Sequence, residues 1–358
     1  MHDSQYYIPM EELAGFNGKL ILLTGHTGFK GTWLLHILSS LGAKVVGISL
    51  PLGPENHFFK ISSGESKAER NYYQDLRDFD QTHEIIHATK PDYIFHLAAQ
   101  ALISPSYKDP LETITTNIVG TSNLLVSALS TPNLKGMTIA ATDKVYKQEP
   151  GAKSFKEGDP LGGVDPYSAS KAAAEIIIKS LAKSCNPNNV PITTIRAGNV
   201  IGGGDYAVNR LIPDICRSIE TNSILKVRNM QATRPWQYIS DCLSGYLRVA
   251  HMHLTKRPLM TAAEYNIGPE RSIKVAEIIE IFSHALGHQI NWIEEKPSFE
   301  ETKTLSLDSS LANTQLDWHP RYSVEESVLE TAMWFKALQN GESIKYLVRS
   351  TIEKDFLK

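Results

Sequence analysis

Short apolar runs alternate with segments of helical periodicity along the first half of the chain. Leu20-Ile21-Leu22-Leu23-Thr24 is an uninterrupted apolar run, which is typical of a parallel strand buried on both faces. Similar runs predict further strands, at 44–49, 93–97, 137–141 and 193–196. Helical patterns lie between these runs, at about 29–41, 111–130 and 167–184. The alternation predicts an α/β fold built on a doubly wound parallel sheet.

The pattern loosens after Asn199, where the run Gly202-Gly203-Gly204 is followed by a mixed region with several prolines. We expect a smaller C-terminal α/β lobe to begin near residue 197 and to share a cleft with the sheet domain. The predicted division gives a cofactor domain at 1–196, to which part of 240–267 returns, and a substrate lobe at 197–239 and 268–358.

Composition narrows the class of protein. The chain has 358 residues, 42% of them hydrophobic, which is enough to bury a sizeable core. A formal net charge of −3 provides no concentrated basic field, so we expect neither nucleic acid nor an acidic membrane surface as a partner. The first 19 residues lack an export-signal pattern and no apolar run approaches about 20 residues, so we expect a cytoplasmic protein without a membrane span. The chain has three cysteines, Cys185, Cys216 and Cys242. Their number and spacing indicate neither a disulfide framework nor a metal site.

A glycine-rich turn, Gly25-His26-Thr27-Gly28-Phe29-Lys30-Gly31, lies directly between the first predicted strand and the first helix. Gly25 would allow the tight turn, Gly28 the close approach of a pyrophosphate, and Gly31 the close packing of helix on strand. The flanking strand and helix are what this mechanism requires. The turn therefore predicts a dinucleotide cofactor.

The choice between NAD and NADP should depend on the end of the second strand, where an acid binds the ribose or a base binds a 2′-phosphate. The sequence there is Ser49-Leu50-Pro51, which supplies neither group. We favour NAD, because chemistry that returns its hydride needs no pool of NADPH. Asp75-Leu76 are expected to contact the adenine.

Tyr167 and Lys171 are spaced i and i+4, so on a helix they share a face. An adjacent ammonium and a nicotinamide cation would favour the phenolate form of Tyr167. Tyr167 could then take a hydroxyl proton while hydride leaves for the cofactor. Thr142, at the end of a predicted strand, would hydrogen-bond the same substrate oxygen.

Asp143 and Lys144 add an acid and a second base beside Thr142. Oxidation of one carbinol by the Thr/Tyr/Lys set needs neither of them. Proton transfers at neighbouring carbons do need such a pair, so its presence indicates a dehydration.

At the level of motifs, the chain resembles the extended short-chain dehydrogenases/reductases of the nucleotide-sugar class, from about residue 17 to 335. The stretches that carry the resemblance are 23–34, 96–100, 142–144, 165–168, 196–205, 210–214 and 234–237. The resemblance implies a Rossmann-like sheet, NAD as cofactor, a nucleotide-sugar substrate and a homodimer. It implies cofactor contacts from Gly25, Thr27, Gly28, Phe29, Lys30, Gly31, Leu97, Ala98, Ala99, Tyr167 and Lys171.

The resemblance also implies a dehydration in successive steps on one bound sugar. Tyr167 would take the C4 hydroxyl proton, Lys144 would remove the C5 proton, and Asp143 would protonate the departing C6 hydroxyl before hydride returns to C6. Many related proteins have Glu in place of Lys144, so this lysine favours the branch that acts on CDP-sugars such as CDP-glucose. The 4-keto-6-deoxy sugar that the resemblance implies would normally feed the synthesis of surface polysaccharide such as O-antigen.

Arginine presents a planar fork that matches phosphate oxygens, and a bound diphosphate needs such a cation. We expect Asn199 and Arg234 to hold the substrate diphosphate, with Arg210 and Arg228 as further candidates. Two more polar residues are expected to contact the sugar or the cofactor, Gln100 and Ser106.

Two alternatives to the leading interpretation stay open, besides a dTDP-, UDP- or GDP-hexose 4,6-dehydratase. A nucleotide-sugar 4-epimerase needs the Thr/Tyr/Lys set but has no use for Asp143 and Lys144. An NAD-binding regulator without turnover would not need the Thr/Tyr/Lys set or the Asp143–Lys144 pair to be intact.

His83-Glu84-Ile85-Ile86-His87 matches the HExxH zinc pattern, but it lies in a predicted crossover helix without an obvious third ligand, so we expect no metal site.

Overall fold

The computed structural model describes residues 8, 10–148, 154–255, 262–295 and 305–357. Residues 256–261, inside the segment expected to return to the sheet domain, lie outside these ranges, as do residues 1–7 and 9 of the N-terminal segment. The described strands are β1 Leu20–Thr24, β2 Lys44–Ser49, β3 Arg70–Tyr73, β4 Tyr93–His96, β5 Met137–Ala140, β6 Ile192–Ala197, β7 Asn199–Ile201, β8 Leu225–Val227, β9 Thr233–Arg234, β10 Trp236–Tyr238, β11 Ala262–Ile267, β12 Ile273–Lys274 and β13 Trp292–Glu294.

Seven of these strands form one sheet in the order β11-β6-β5-β4-β1-β2-β3. Every neighbouring pair in this sheet is parallel, which confirms the predicted α/β fold. β11 pairs with β6 along Ala262–Ile267, so this part of the chain returns to the sheet after an excursion of more than sixty residues. The carboxyl ends of β1, β4 and β5 meet at one edge, where the predicted site residues follow them.

Helices cover both faces of the sheet. They are α1 Met10–Ala14, α2 Phe29–Ser40, α3 His57–Ile61, α4 Phe79–Thr89, α5 Ile103–Lys108, α6 Pro110–Ile114, α7 Thr121–Leu129, α8 Pro166–Ser184, α9 Leu211–Glu220, α10 Ile239–Leu254, α11 Val275–Leu286, α12 Ser310–Leu316, α13 Val324–Gln339 and α14 Ile344–Phe356. The helix predicted at 111–130 is interrupted by a π-helical segment, Thr115–Gly120, between α6 and α7. The helices predicted at 29–41 and 167–184 match α2 and α8.

Alternate residues of β1 point to opposite faces, as strand geometry requires. Ile21 and Leu23 belong to a core that α2, α10, α12 and α14 share, whereas Leu22 packs in a second core with α4, α7 and α8. A third core, of α9, α11 and α13, lies in the C-terminal region. Segments 310–316 and 344–356, which the sequence assigns to the substrate lobe, therefore pack in the core of the sheet, and the predicted lobe boundaries stay a prediction.

Three pairs of short strands connect the C-terminal region: β7 with β10, β8 with β13, and β9 with β12. The indole nitrogen of Trp33, on α2, donates to the carbonyl oxygen of Gly203 at 2.8 Å. This hydrogen bond ties the first turns of the helix after the glycine-rich turn to the glycine run that follows β7.

Candidate active site

The glycine-rich turn is shaped by close backbone contacts. Gly25 has φ of +72°, and a Cβ there would lie 2.6 Å from the backbone nitrogen of Ala98. A Cβ on Gly31 would lie 2.0 Å from the carbonyl oxygen of Gly25. Gly28, in contrast, is exposed and leaves the N-terminus of α2 accessible. These features fit a dinucleotide whose diphosphate approaches the start of the helix, where backbone N–H groups and the helix dipole favour negative charge.

Ser49, at the end of β2, holds this turn in place rather than presenting a charged group. Its hydroxyl lies 3.0 Å from Nδ1 of His26 and accepts a hydrogen bond from the backbone N–H of Thr27 at 3.3 Å. The other ring nitrogen of His26 lies 2.9 Å from Oδ1 of Asn71. Burial lowers the pKa of His26 to about 4, so the ring is neutral at pH 7.

The predicted adenine contacts, Asp75 and Leu76, follow β3. The carboxylate of Asp75 forms an ion pair with Arg77, with 2.5 Å between Oδ2 and Nη2, and Leu76 is buried. Hydrogen bonds from Arg77 lower the pKa of Asp75. Arg77 also pairs with Glu112 of α6, so this end of the sheet is fixed by charges on adjoining segments.

Leu97, Ala98 and Ala99 follow β4, and the first two are fixed against β1. The backbone N–H of Leu97 donates to the carbonyl of Thr24 at 3.1 Å, and that of Ala98 to its hydroxyl at 3.3 Å. The side chain of Gln100 hydrogen-bonds Leu102 and Thr113, and the Ser106 hydroxyl donates to the carbonyl of Ile103. Neither Gln100 nor Ser106 is among the residues that line the cavity described below.

Tyr167 and Lys171 lie one turn apart at the start of α8. The helix begins after Asp165, whose carboxylate accepts the backbone N–H of Ser168, and Pro166 occupies the first helical position. Nζ of Lys171 donates to the carbonyl of Ala140 at 2.7 Å, which ties the helix to the end of β5. Burial, together with the charge of Lys30, lowers the pKa of Lys171 to about 8.

Burial raises the pKa of Tyr167 to about 12, and a hydrogen bond with the Thr142 side chain acts in the opposite direction. Both residues line the same cavity. The structure therefore brings together the Thr/Tyr/Lys set that the sequence predicts, at the carboxyl end of β5.

The turn after β5 carries the predicted acid and second base. The Thr142 hydroxyl donates to Oδ1 of Asp143 at 3.1 Å, and Nζ of Lys144 donates to the same oxygen at 2.9 Å. Lys144 also donates to Oδ1 of Asn199 at 3.3 Å. One carboxylate oxygen thus joins the neighbouring hydroxyl to the neighbouring ammonium.

Asp143 lies behind Lys144 rather than on the cavity wall. Its side chain is 1% exposed, whereas that of Lys144 is 20% exposed and lines the cavity. Oδ2 of Asp143 is buried and has no hydrogen-bond partner within the described residues. The sequence could not predict this difference between adjacent residues, because it depends on how the short 3₁₀ turn at 143–145 is oriented in the fold.

The cavity between the sheet edge and the C-terminal region has a volume of about 590 Å³, within the usual range for a small-molecule site. All four predicted diphosphate ligands line it: Asn199, Arg210, Arg228 and Arg234. Arg210 forms an ion pair with Asp205 at 3.0 Å, and a guanidinium nitrogen of Arg228 donates to the carbonyl of Asn209 at 3.3 Å. The lining contributed by the C-terminal region is thus rich in cations.

Sequence reasoning missed further residues of this lining. Lys226 lines the cavity from β8, and Asp205 orients Arg210. Arg217 holds the loop before α9 by donating to the carbonyls of Tyr206 and Ala207. No motif spacing marks these residues, because they come together through the packing of α9 on β8.

Within the described part of the chain, no group of three or more His, Cys, Asp and Glu side chains is arranged to hold a metal ion. The rings of His83 and His87 lie 4.0 Å apart on α4, and His87 lies 3.1 Å from the Ser130 hydroxyl. Among the same described residues, none of the helices is both long and apolar enough to cross a bilayer.

Comparison with known proteins identifies the family to which the chain belongs. Residues 22–331 match the family described as GDP-mannose 4,6 dehydratase. The chain belongs to this family. The match confirms the resemblance to the nucleotide-sugar class, and it shows that the protein is a member of a family of nucleotide-sugar 4,6-dehydratases.

One relative of this family member is the CDP-glucose 4,6-dehydratase of Salmonella typhimurium, which is 38% identical over 92% of the chain and 94% of the relative. The UDP-glucose 4-epimerase of Halalkalibacterium halodurans is 27% identical over 90% of the chain and 97% of its own length. The relatives therefore include both dehydratases and epimerases.

Solved structures share the fold. The UDP-glucose 4-epimerase of Thermotoga maritima, solved with UDP-glucose, has a TM-score of 0.78 at 22% identity, covering 89% of this chain and 99% of that one. DesIV, a dTDP-glucose 4,6-dehydratase of Streptomyces venezuelae solved with NAD, has a TM-score of 0.77 at 20% identity, covering 90% and 98%. These likenesses support the Rossmann-like architecture of the family member.

Proposed function

We propose that the protein converts CDP-glucose to CDP-4-dehydro-6-deoxyglucose and water. The observation that carries this proposal is the Asp143–Lys144 pair, in which one oxygen of the buried Asp143 carboxylate joins the Thr142 hydroxyl to the Lys144 ammonium beside the cavity. An epimerase needs only the Thr/Tyr/Lys set. The relative at 38% identity, named a CDP-glucose 4,6-dehydratase, supports the choice of nucleotide.

The residues of the glycine-rich turn fit NAD, with the accessible N-terminus of α2 at the diphosphate. Leu97, Ala98 and Ala99 would flank it from β4. NAD bound there supplies a hydride acceptor that is restored at the end of the reaction. Burial raises the pKa of Tyr167. Lys171, which keeps its charge below about pH 8, and the nicotinamide cation of bound NAD⁺ would act in the opposite direction and favour the phenolate.

Tyr167 takes the proton of the C4 hydroxyl, while Thr142 hydrogen-bonds the same oxygen and fixes its position. The resulting C4 ketone acidifies the C5 proton. Both side chains line the cavity, so both reach a bound sugar directly. Positioned acid–base groups of this kind contribute about 10²–10⁴-fold to rate.

The Asp143–Lys144 pair then removes the C5 proton and supplies the proton with which the C6 hydroxyl leaves as water. Nζ of Lys144 donates to Oδ1 of Asp143 at 2.9 Å, and transfer of that proton to the carboxylate would leave Lys144 as the base. Because Lys144 is the member that lines the cavity, it contacts the substrate, and Asp143 acts as the proton store behind it. This refines the expectation that Asp143 protonates the C6 hydroxyl directly.

The substrate diphosphate would lie against the cationic wall. Arg210, Arg228 and Arg234 supply guanidinium groups at the cavity, and Asn199 links this wall to Lys144. A planar guanidinium can donate two parallel hydrogen bonds to a phosphate. Binding of the diphosphate would thus place the hexose between this wall and Tyr167.

We further propose a homodimer in the cytoplasm that serves surface-polysaccharide synthesis such as that of O-antigen. Support for a dimer comes from exposed apolar side chains on α6, α7 and α8 and on the π segment: Leu111, Ile114, Val119, Val126 and Ile176. We also propose that the chain divides into a cofactor domain and a substrate lobe. The cofactor domain comprises 1–196 with part of 240–267, and the substrate lobe comprises 197–239 and 268–358.

The test is to incubate purified protein and NAD⁺ separately with CDP-, dTDP-, UDP- and GDP-glucose and to follow product mass. Loss of one water from CDP-glucose alone supports the proposal. Loss of water from another nucleotide sugar instead would retain the chemistry and contradict the nucleotide. An unchanged mass with a new C4 epimer would establish an epimerase. Binding of NAD⁺ without turnover of any of these sugars would favour the alternative of an NAD-binding regulator.

A further inference from the structure

The side-chain nitrogen of Lys144, in the turn after β5, is held by two acceptors. Nζ donates to Oδ1 of Asp143 at 2.9 Å and to Oδ1 of Asn199 at 3.3 Å. A lysine ammonium has three N–H donors and no acceptor. The third N–H has no acceptor within the described residues, and the side chain lines the cavity. This third position is therefore the one that a bound molecule can contact.

The amide of Asn199 has two ends, and only one of them is used by the protein. Its carbonyl oxygen accepts from Lys144, so the two N–H donors of Nδ2 are directed elsewhere. Neither donor has an acceptor in the part of the chain that the structure describes. The residue lines the cavity together with three expected diphosphate ligands, Arg210, Arg228 and Arg234. One planar amide can thus contact Lys144 through its oxygen and a phosphate through its nitrogen.

The backbone of Asn199 is fixed by its place in a strand. The residue begins β7 and pairs with Trp236, which begins β10 two residues after Arg234. The preceding residue, Gly198, donates to the carbonyl of Ile267 at 3.3 Å. Groups carried on strands are held more precisely than groups on loops. The fold therefore sets the position of the amide, and the hydrogen bond restrains Lys144, whose side chain has a flexible four-carbon stem.

This restraint acts on the proposed base once Lys144 has passed one proton to Asp143. The neutral amine keeps two N–H bonds and one lone pair. Because Oδ1 of Asn199 can only accept, it retains one N–H, and the lone pair faces either Asp143 or the third position. At the third position, the C5–H bond of the substrate breaks as an N–H bond forms on this lone pair. The electron pair left on C5 passes into the enolate of the C4 ketone.

We propose that Asn199 is a positioning residue for the elimination, which holds Lys144 at C5 while its own nitrogen binds the substrate diphosphate, an inference that rests on the proposed function. A bound phosphate fixes the orientation of the amide, since a flipped amide would place its N–H groups against the ammonium and its oxygen against the phosphate. Binding of the diphosphate and alignment of the base are thus joined through one side chain. Oxidation at C4 by Tyr167 uses neither end of this amide.

The variant Asn199→Leu removes both ends of the amide at similar size and tests the proposal. The protein loaded with NAD⁺ is mixed with saturating CDP-glucose, and reduced-nicotinamide absorbance and quenched product mass are followed together. Reduced nicotinamide should form at close to the rate of the unmodified protein. Water loss should slow on the order of 10–10²-fold, as expected when a reacting group is misplaced by about 1 Å. Reduced nicotinamide should therefore accumulate before product appears.

Arg228→Leu is the matched control. It removes another expected diphosphate ligand from the cavity lining, but a guanidinium cannot hydrogen-bond the Lys144 ammonium, because both are only donors. Loss of a diphosphate contact alone should raise KM. It should not cause reduced nicotinamide to accumulate at saturating CDP-glucose.

Asn199→Asp tests the same contact with a nearly isosteric side chain. A carboxylate beside the Lys144 ammonium would hold its proton more strongly, so water loss should require a pH higher by about 1–3 units than in the unmodified protein. The other ionisable groups that interact with one another at this end of the cavity are unchanged in the variant: Asp143, Lys30, Tyr167 and Arg210. If Asn199→Leu does not fold, this shift decides the proposal, and its absence would contradict it.

Three further results would overturn the positioning role. A raised KM in Asn199→Leu without accumulation of reduced nicotinamide would make the residue a diphosphate ligand only. Equal slowing of nicotinamide reduction and water loss would indicate a general distortion of the site. Both results leave the proposed function standing, whereas absence of water loss from CDP-glucose in the unmodified protein would overturn the proposed function as well.

Discussion

Two carboxylate–cation pairs of this fold differ in how completely their polar atoms are hydrogen-bonded. Glu175 and Arg196 are 1% and 0% exposed, with Nη2 and Oε2 2.6 Å apart, and Arg196 also donates to the Tyr146 hydroxyl and the carbonyl of Glu157. The pair that Asp143 forms with Lys144 leaves one carboxylate oxygen without a partner within the described residues.

This difference distinguishes an ion pair that holds the fold together from an ion pair that can take part in a reaction. The donors of Arg196 are directed at protein acceptors, so the Glu175–Arg196 pair, placed between β6 and α8, fixes the position of the helix that carries Tyr167. Lys144 lines the cavity and donates to Asp143, so this pair can exchange protons with a bound molecule. Complete pairing indicates a structural role, and incomplete pairing at a cavity indicates chemistry.

The largest expected effect comes from Asp143→Asn. Asparagine cannot store the proton that leaves with the C6 hydroxyl, so kcat should fall by about 10²–10⁴-fold. Steady-state product formation measures this loss. The free energy of unfolding should change by less than about 1 kcal/mol, since the removed charge has a partly solvated partner. Asp80→Asn, on the exposed face of α4, is the matched control and should leave kcat unchanged.

The opposite result is expected for Glu175→Gln. It leaves the buried guanidinium of Arg196 without its counter-charge, so the free energy of unfolding should fall by about 3–5 kcal/mol in a denaturant titration. Glu84→Gln, which changes an exposed glutamate, should alter it by less than about 0.5 kcal/mol. If Glu175→Gln does not fold, a double variant with Arg196→Met should recover folded protein. Unchanged stability of Glu175→Gln would contradict the structural assignment.

A smaller effect is expected for Lys171→Met, a cation in the catalytic set. Burial lowers the folded-state pKa of Lys171 from 10.5 to about 8, so the unfolded chain binds more protons between these values. The lysine therefore costs stability below about pH 8, and this cost disappears as pH rises toward 10.5. Lys171→Met should be more stable than the unmodified protein by up to about 3 kcal/mol at pH 7, although inactive.

Thermal or denaturant unfolding at several pH values checks this prediction. The stability difference between Lys171→Met and the unmodified protein should narrow between about pH 8 and pH 10.5. A difference of the opposite sign at pH 7 would mean that the hydrogen bond to the Ala140 carbonyl outweighs the cost of burying the ammonium.

Local patterns in the sequence were sufficient for the sheet and for the helix that carries Tyr167 and Lys171. The apolar run at 20–24 and the i, i+4 spacing of Tyr167 and Lys171 are periodic signals, and both predictions are confirmed by the structure. The π segment at 115–120 and the pairing of Gln100 with Thr113 depend on tertiary contacts that leave no such signal.

The same limit explains why the two ion pairs could not be distinguished beforehand. Glu175 follows Lys171 by one helical turn, but its partner Arg196 lies on β6, 21 residues further along the chain. Asp143 and Lys144 are adjacent, yet only the fold shows that the first is buried and the second lines the cavity. Motifs identified the residue types, and packing determined their roles.

The central claim is that elimination by the Asp143–Lys144 pair is separable from oxidation by the Thr142–Tyr167–Lys171 set. The most direct test mixes Lys144→Met, loaded with NAD⁺, with CDP-glucose, and follows reduced-nicotinamide absorbance and product mass together. The account predicts that the absorbance rises to a stable level while no water is lost. Water loss at the rate of the unmodified protein would contradict it.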